Sequence, residues 1–260
     1  MKKNRKYQYN FSKMLHQQMY DYEGREKKAK TMLAVLSHYY STGLNHLSAL
    51  DVGSSTGIIT NYLASYFQNI IGMDIDGPAV EFAKKQFKQQ NLEFRIGSSL
   101  NMDFTDRTFD VVICAHIYEH VPDAKLLMDE IFRVLKVNGV CYFAAGNRYR
   151  IMEPHYNLPF LSAVPRPLAH PYVRLAGRSK YYYEKHLSYW GLKKLVRQFD
   201  LIDYTRHIIK QPVNFGAEYM IRPNSNKAKL AKFISKRVYW LCPTYIWLLR
   251  KPAAKKTAHN

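Results

Sequence analysis

A chain of 260 residues that is 47% hydrophobic and 23% charged can bury one large α/β core carrying a lid, and this excludes global disorder. Lys plus Arg number 39 against 20 for Asp plus Glu, a net charge of +19 that is unevenly spread. Residues 51–139 hold 12 acidic and 8 basic residues, whereas residues 222–260 hold 10 basic and no acidic ones. These basic additions are either solvated faces or a surface for an anionic partner such as phospholipid, nucleic acid or a phosphorylated substrate.

The chain opens on Lys2, Lys3, Arg5 and Lys6, but polar residues follow where a signal peptide needs an apolar stretch. A segment alternating strand-like and helix-like patterns comes next, the signature of a parallel sheet with crossover helices. Leu47–Val52 reads as a strand, Ile58–Phe67 as a helix and Asn69–Ile75 as a second strand. Pro78 opens a helix reaching about Gln89, where its missing N–H costs nothing, and Leu92–Ile96 is a third strand. Phe109–Ala115 is apolar enough for burial on both faces. Pro122 opens a helix striped by Leu126, Leu127, Ile131, Val134 and Leu135, which Asn138-Gly139 should end, and Val140–Ala145 is a fifth strand. Residues 147–187 hold five prolines and no clean period, as an inserted lid does. Ser188–Phe199 reads as helix, Leu201–Ile209 as strand, Lys227–Trp240 as a basic amphipathic helix and Thr244–Leu249 as a closing strand. No apolar run reaches the ~18 residues of a membrane helix; the best, Val238–Leu249, holds Pro243.

The strongest chemical signal is Ala49-Leu-Asp-Val-Gly-Ser-Ser-Thr-Gly57, a strand-to-helix turn whose glycines let a ligand approach backbone N–H groups. Asp74, ending the next strand in Gly72-Met-Asp-Ile-Asp76, can accept hydrogen bonds from both hydroxyls of a ribose. The register is G-x-S-x-G rather than the dinucleotide G-x-G-x-x-G. Asp51, two residues before Gly53, disfavours a phosphate and tolerates a cationic cofactor. Cys114, Cys141 and Cys242 have no C-x-x-C spacing and no histidine cluster beside them, which argues against a disulfide scaffold or a structural zinc site and fits a reducing cytosol.

ALDVGSSTG, IIGMDIDGPAVEFAKK, TFDVVICAHIYEHVPD and LMDEIFRVLKVNGVCYF closely resemble the class I S-adenosylmethionine-dependent methyltransferases, especially the ubiquinone-biosynthesis-like group. The likeness covers residues 45–147. It implies an α/β, Rossmann-like, seven-stranded sheet with an antiparallel last strand, here Thr244–Arg250 beside the fifth, and helices on both faces. The implied organisation is an N-terminal helical segment (1–45), a cofactor-binding core (46–147), a lid insertion (148–187), the C-terminal part of the sheet with the 227–240 helix (188–250) and a basic tail (251–260). By the same resemblance Asp51, Gly53 and Gly57 shape the pocket for the methionine part of S-adenosyl-L-methionine. Asp74 holds the ribose, Ile75 lies against the adenine and Ala115 lines the methyl-transfer end. Ser55 stands where the family has a middle glycine, and Ser98 where it has an adenine-facing Asp.

Methyl transfer needs an aligned nucleophile, exclusion of water and, for many acceptors, a base. His116, Tyr118, Glu119 and His120 follow the fourth strand, where such a base sits, with His120 the first choice and His155 and Tyr156 comparable candidates in the lid. The expected function is O-methylation of a small-molecule, lipid-linked or saccharide acceptor by direct in-line transfer. The tract Glu153–Pro167 resembles segments of bacterial methyltransferases associated with cell-surface glycans, and the basic helix suits peripheral contact with an anionic membrane on its cytoplasmic face. The alternatives are an RNA methyltransferase, for which no recognition module is visible, and a cofactor-binding protein without catalysis.

Overall fold

The computed structural model describes residues 6–14 and 16–253; Lys2, Lys3 and Arg5 of the basic start and residues 254–260 of the basic tail lie outside the described residues. Seven strands form one sheet: β1 (Ser48–Val52), β2 (Asn69–Asp74), β3 (Leu92–Ile96), β4 (Phe109–Ala115), β5 (Leu135–Gly146), β6 (Asp200–Asp203) and β7 (Thr244–Arg250). Their spatial order is β3-β2-β1-β4-β5-β7-β6. β1 to β5 are parallel, and β7 slots antiparallel between β5 and β6. This is the Rossmann-like sheet with an antiparallel last strand that the resemblance implied.

The helices are α1 (Tyr22–Tyr39), α2 (Ile58–Ala64), α3 (Gly77–Gln86), α4 (Ala124–Val134), α5 (Arg166–Leu175), α6 (Tyr189–Leu195), α7 (Thr205–Lys210) and α8 (Asn226–Arg237). β4 shows why its apolar run must be continuous. Val111 and Ile113 point into one core with Val35 and Leu36 of α1 and Leu63 of α2, while Val112 and Cys114 point into the other with Leu127 and Ile131 of α4 and Leu192 of α6. Period-two alternation places every second residue on each face, so both sets must be apolar. All three cysteines are free and buried. Among the described residues no helix is long and apolar enough to cross a membrane.

Three readings of local structure need correction. Asn138-Gly139 does not end a helix: α4 stops at Val134, and the pair lies inside β5, where Asn138 takes φ +63° and the register to β4 shifts between Phe109 and Val111. The strand read over Leu201–Ile209 is β6 followed by α7: Asp203 Oδ1 accepts the Thr205 N–H at 3.0 Å, a side-chain turn that leads the chain out of the strand. The lid contains a helix, α5, despite its prolines; Pro165 is its N-cap, Pro167 sits in its first turn and only Pro171 lies inside. A two-residue ribbon, Met152–Glu153 against Leu158–Pro159, precedes it.

The lid has a small core of its own in Leu158, Leu161, Ala169, Val173 and Tyr182. Its two ends meet on the sheet, where Asn147 pairs with Leu187 and the Arg148 N–H donates to Leu187 O at 2.9 Å. Asn147 is fully buried, and its Nδ2 donates to the carbonyls of Trp240 and Cys242, both at 2.8 Å.

Just past β7, Lys251 is 7% exposed and its Nζ donates to the carbonyls of Phe132 at 2.6 Å and Leu135 at 2.8 Å. It thereby satisfies carbonyls that the end of α4 leaves without helical partners. Lys251→Met keeps the apolar stem and strands those carbonyls, so the unfolding free energy should fall by ~1–3 kcal/mol. A urea melt reads this; an unchanged midpoint would mean that water replaces the ammonium without cost.

Candidate functional site

β1 delivers Asp51 and then breaks into a turn of left-handed residues, Gly53 (φ +77°), Ser55 (φ +50°) and Gly57 (φ +75°). The Gly53 and Ser54 N–H groups both donate to Met73 O, at 2.7 and 3.1 Å, which pins the turn to β2. A Cβ on Gly53 would lie 2.1 Å from Ile117 Cδ1, so glycine is required there for space as well as for its φ. Ser55 accepts the left-handed conformation that its place in the motif demands.

Asp51 is 5% exposed and accepts the Thr60 hydroxyl at 2.6 Å. Burial pushes its carboxyl up to about 6, outweighing the help from Thr60 and from Arg25. Asp74 receives the Ser55 N–H on Oδ2 at 2.7 Å and the Asp76 N–H on Oδ1 at 2.9 Å, and burial raises its pKa too. Ile75 is half-buried just beyond it. The Ser98 hydroxyl oxygen accepts the Leu100 N–H at 3.3 Å.

The residues before α1 lie across this turn. The Thr56 hydroxyl donates to Met19 O at 2.7 Å, Arg25 Nη2 approaches Met19 Sδ at 2.9 Å, and the Ser12 N–H donates to Asp76 Oδ2 at 2.6 Å. Asp21, Asp51 and Asp74 all act on the Arg25 guanidinium. Sequence reading missed this cover because nothing in residues 8–25 announces a contact with the sheet.

The far end of the site begins where β4 stops. Ala115 is half-buried, and His116 takes φ +60° with its N–H on Ala144 O at 2.8 Å. His116 Nδ1 lies 3.3 Å from Oε1 of Glu119, a carboxylate with no exposed surface, while 43% of the His116 side chain stays exposed. Burial pushes Glu119 up, but the contact with His116 and the charges of His120 and His186 win and hold it down at about 2. Tyr118 is not placed as a base: its hydroxyl donates to Gly146 O at 2.6 Å and accepts the Leu187 N–H at 3.1 Å, tying the lid's return to the sheet. Burial lowers His120 to about 3, so it is neutral at neutral pH and a weak base. Its ring packs edge-on against His155 at 4.8 Å and Phe11 at 5.1 Å, and its Nδ1 lies 3.7 Å from Glu184 Oε1.

His155 meets this group from the lid. Its Nδ1 lies 2.7 Å from Glu153 Oε1, an attraction that raises the imidazole's pKa although burial opposes it. Tyr156 packs into the lid core with its hydroxyl donating to Tyr181 O at 3.3 Å. Glu153, Glu184 and His186 escaped the sequence reading. A signal was present in two Glu-x-His steps, Glu153-Pro-His155 and Glu184-Lys-His186, matching Glu119-His120 in chemistry.

A methyltransferase domain matches residues 50–143, from the last residues of β1 through the turn, Asp74 and His116 into β5. The demethylmenaquinone methyltransferase of Lactiplantibacillus plantarum is 28% identical over 180 residues, 65% of this chain and 74% of that protein. The ubiquinone biosynthesis O-methyltransferase of Actinobacillus pleuropneumoniae is 29% identical over 42% of this chain. The fold extends the likeness: a S-adenosylmethionine-dependent methyltransferase from Thermotoga maritima superposes over 91% of this chain and 94% of its own with TM-score 0.54 at 15% identity. Residues 50–143 form a methyltransferase domain.

The chain spans about half the length of some curated relatives, 49% of the Actinobacillus protein and 40% of the Lactobacillus johnsonii demethylmenaquinone methyltransferase. A [4+2]-cyclase, SpnF, shares the fold with TM-score 0.51 over 86% of both chains at 17% identity, so the architecture alone does not select a reaction. S-adenosylmethionine is the cofactor that the domain implies, and the residues suit a cation. Two carboxylates at one glycine-cornered turn, Asp51 and Asp74, are both penalised by burial, and a positive ligand relieves that penalty.

Proposed function

We propose that the protein methylates a hydroxyl oxygen of a lipid-linked small molecule, with His116 as the general base. The observation that carries this reading is the Glu119–His116 pair at the end of β4, one residue past Ala115 and on the same sheet edge as Asp51 and Asp74. The cofactor supplies a methyl group already activated on a sulfonium. The chain's own tasks are alignment, exclusion of water and removal of one proton. Asp74 keeps a second lone pair on each oxygen for ribose hydroxyls, Asp51 faces the positive end of the methionine part, Gly53, Ser55 and Gly57 line its bed, and Ile75 and Ser98 flank the adenine. Glu119 orients the His116 ring through Nδ1 and leaves Nε2 to take the acceptor's proton; its charge stabilises the imidazolium that results.

Two features support a lipid-linked acceptor. The lid leaves Ile151, Phe160, Leu168 and Leu175 more than half exposed, and α8 does the same with Leu230 and Phe233 beside Lys229, Lys232 and Lys236. Relatives named for menaquinone and ubiquinone biosynthesis point to the same class. The deciding experiment transfers labelled methyl from S-adenosylmethionine into lipid, glycan and RNA fractions of the source cells. Label in a methyl ether of the lipid fraction is expected; label confined to RNA would replace this reading.

The cofactor assignment predicts a pH effect. In the free protein Asp51 titrates near 6, and a bound cation must lower that value, so binding below pH 6 releases a proton. Affinity for S-adenosylhomocysteine, whose ammonium is the cation, should be flat above about pH 7 and weaken by up to ~tenfold per unit below 6. Asp51→Asn should abolish this slope, and Asp74→Ala should weaken binding at least ~tenfold at every pH. Calorimetry reads both; a slope retained in Asp51→Asn would move the titrating group elsewhere.

For the base, His116→Asn should lower kcat ~10²–10⁴-fold while cofactor affinity stays within ~threefold. A mutant with normal kcat would dismiss His116.

Membrane contact predicts recovery on vesicles that rises with anionic lipid and falls with salt, since exposed charges are screened over ~8 Å at physiological ionic strength. Replacing Lys229, Lys232, Lys236 and Arg237 with Gln should weaken it. Equal recovery of both proteins would leave α8 as a solvated face.

A further inference from the structure

Beside the His116–Glu119 pair lies a second set of groups that the reaction as described does not use. Glu153 has no exposed surface, and its two oxygens are treated differently. Oε2 accepts the backbone N–H groups of His155 and Tyr156, both at 2.9 Å, which fixes the carboxylate plane. Oε1 is left facing two imidazoles, His155 Nδ1 at 2.7 Å and His186 Nε2 at 3.6 Å. One ligand atom from each of the three residues falls within 4.8 Å of the other two. Ligands 2.0–2.2 Å from a common tetrahedral ion stand ~3.4 Å apart, so opening the shorter contact and closing the others takes side-chain rotations alone.

His186 carries the second, independent observation. Its side chain is wholly buried, and neither ring nitrogen has a hydrogen-bond partner. An imidazole left unsatisfied in the interior costs free energy that folding must offset elsewhere, and a cation on Nε2 removes half of that cost. The local charge points the same way. Glu119, Glu153 and Glu184 are all at least 97% buried, and the groups that most strongly favour their ionised forms include no Lys or Arg. Arg150 packs at Gly146 next to His186, and its Nε also lacks a partner.

We propose that Glu153, His155 and His186 bind a divalent first-row transition-metal cation, with Zn²⁺ the best fit, at the acceptor end of the site. Two imidazole nitrogens and one carboxylate oxygen suit that class; Mg²⁺ and Ca²⁺ prefer oxygen shells. Three protein ligands leave a coordination position open, as in catalytic rather than structural sites. The ring of His120, 4.8 Å from His155, borders the space that this position faces. An acceptor hydroxyl bound there would be more acidic than in water, and its O–H proton would pass to His116 as described above; that part rests on the O-methylation reading, whereas cation binding does not. Building the site requires the lid to close, because Glu153 and His155 enter from its first strand and His186 from its return.

The test begins with the full chain freed of metal by chelation. Calorimetry with Zn²⁺ should show one site of micromolar affinity or better, and Co²⁺ should give visible d–d absorption of a nitrogen- and oxygen-ligated ion. Glu153→Gln, nearly isosteric, and His186→Phe should each weaken Zn²⁺ binding at least tenfold and abolish the Co²⁺ spectrum, while His46→Ala, on the exposed surface, should change neither. Thermal melts establish that each variant is folded; if His186→Phe is not, His155→Gln takes its place. Absence of stoichiometric Zn²⁺ binding by the wild-type chain, or equal binding by Glu153→Gln, overturns the proposal. Methyl transfer that proceeds unchanged in chelator restricts the cation to a structural role, so the open-position assignment fails while O-methylation stands. Stoichiometric binding without any methyl ether product leaves the site standing and sinks the O-methylation reading.

Discussion

Buried negative charge at the end of the sheet is the constraint around which this protein is arranged. Asp51, Glu119, Glu153 and Glu184 are each at least 95% buried, and Asp74 is largely enclosed. An ionised carboxylate in such surroundings is tolerable only with hydrogen bonds or an opposite charge. The two ends of the site meet this demand differently. At the turn after β1 burial outweighs Thr60 and Arg25, and both aspartates are raised, a state that a cationic ligand relieves. Beyond β4, histidines hold Glu119 and Glu153 well below the ordinary carboxylate range, whereas burial raises Glu184.

The residues that bridge these ends come from outside the sheet. Phe11 packs against His120, three positions from Gln8, whose side-chain amide donates to His120 O, and the next residue, Ser12, reaches Asp76. On the other side the lid is a long loop closed at its base, where Asn147 pairs with Leu187 and the Lys185 N–H donates to Glu119 O at 2.9 Å. Closing such a loop is entropically unfavourable, and the buried amide of Asn147, the Tyr118 hydroxyl and the lid's own apolar core offset that cost. The closure is what brings Glu153 next to His186, 33 positions later in the chain.

This explains which parts were legible in the sequence. β4 falls where its apolar run places it, because a strand buried on both faces leaves little polar sequence to blur its ends, and the half-exposed edge strand β3 matches its reading as well. The glycine-cornered turn, Asp74 and the His116–Glu119 step are local in sequence, so spacing alone exposes them. The Glu153, His155 and His186 cluster is not local: the lid's fold creates it, and no periodicity in a proline-dense tract reports that fold. α5 was hidden for the same reason, since Pro165, Pro167 and Pro171 read as breakers although two of them occupy positions where a helix lacks the bond they cannot make. At β6 the apolar residues continue past Asp203, where the Asp203 carboxylate turns back onto the Thr205 N–H and the strand ends.

Two backbone conformations connect the edge of the sheet to its chemistry. Ser55 and His116 both take positive φ, a state that costs a non-glycine residue ~1–2 kcal/mol. Each is held by a hydrogen bond to a neighbouring strand end: the Ser55 N–H to Asp74 Oδ2, and the His116 N–H to Ala144 O. The first turns the β1 loop back toward the Asp74 carboxylate. The second swings the imidazole out of line with β4, so that Nδ1 meets Glu119 while the ring stays partly exposed. Relaxing either residue to an extended conformation would point its side chain along the strand and dissolve the pairing beside it. The strain therefore persists because the sheet over-determines both positions.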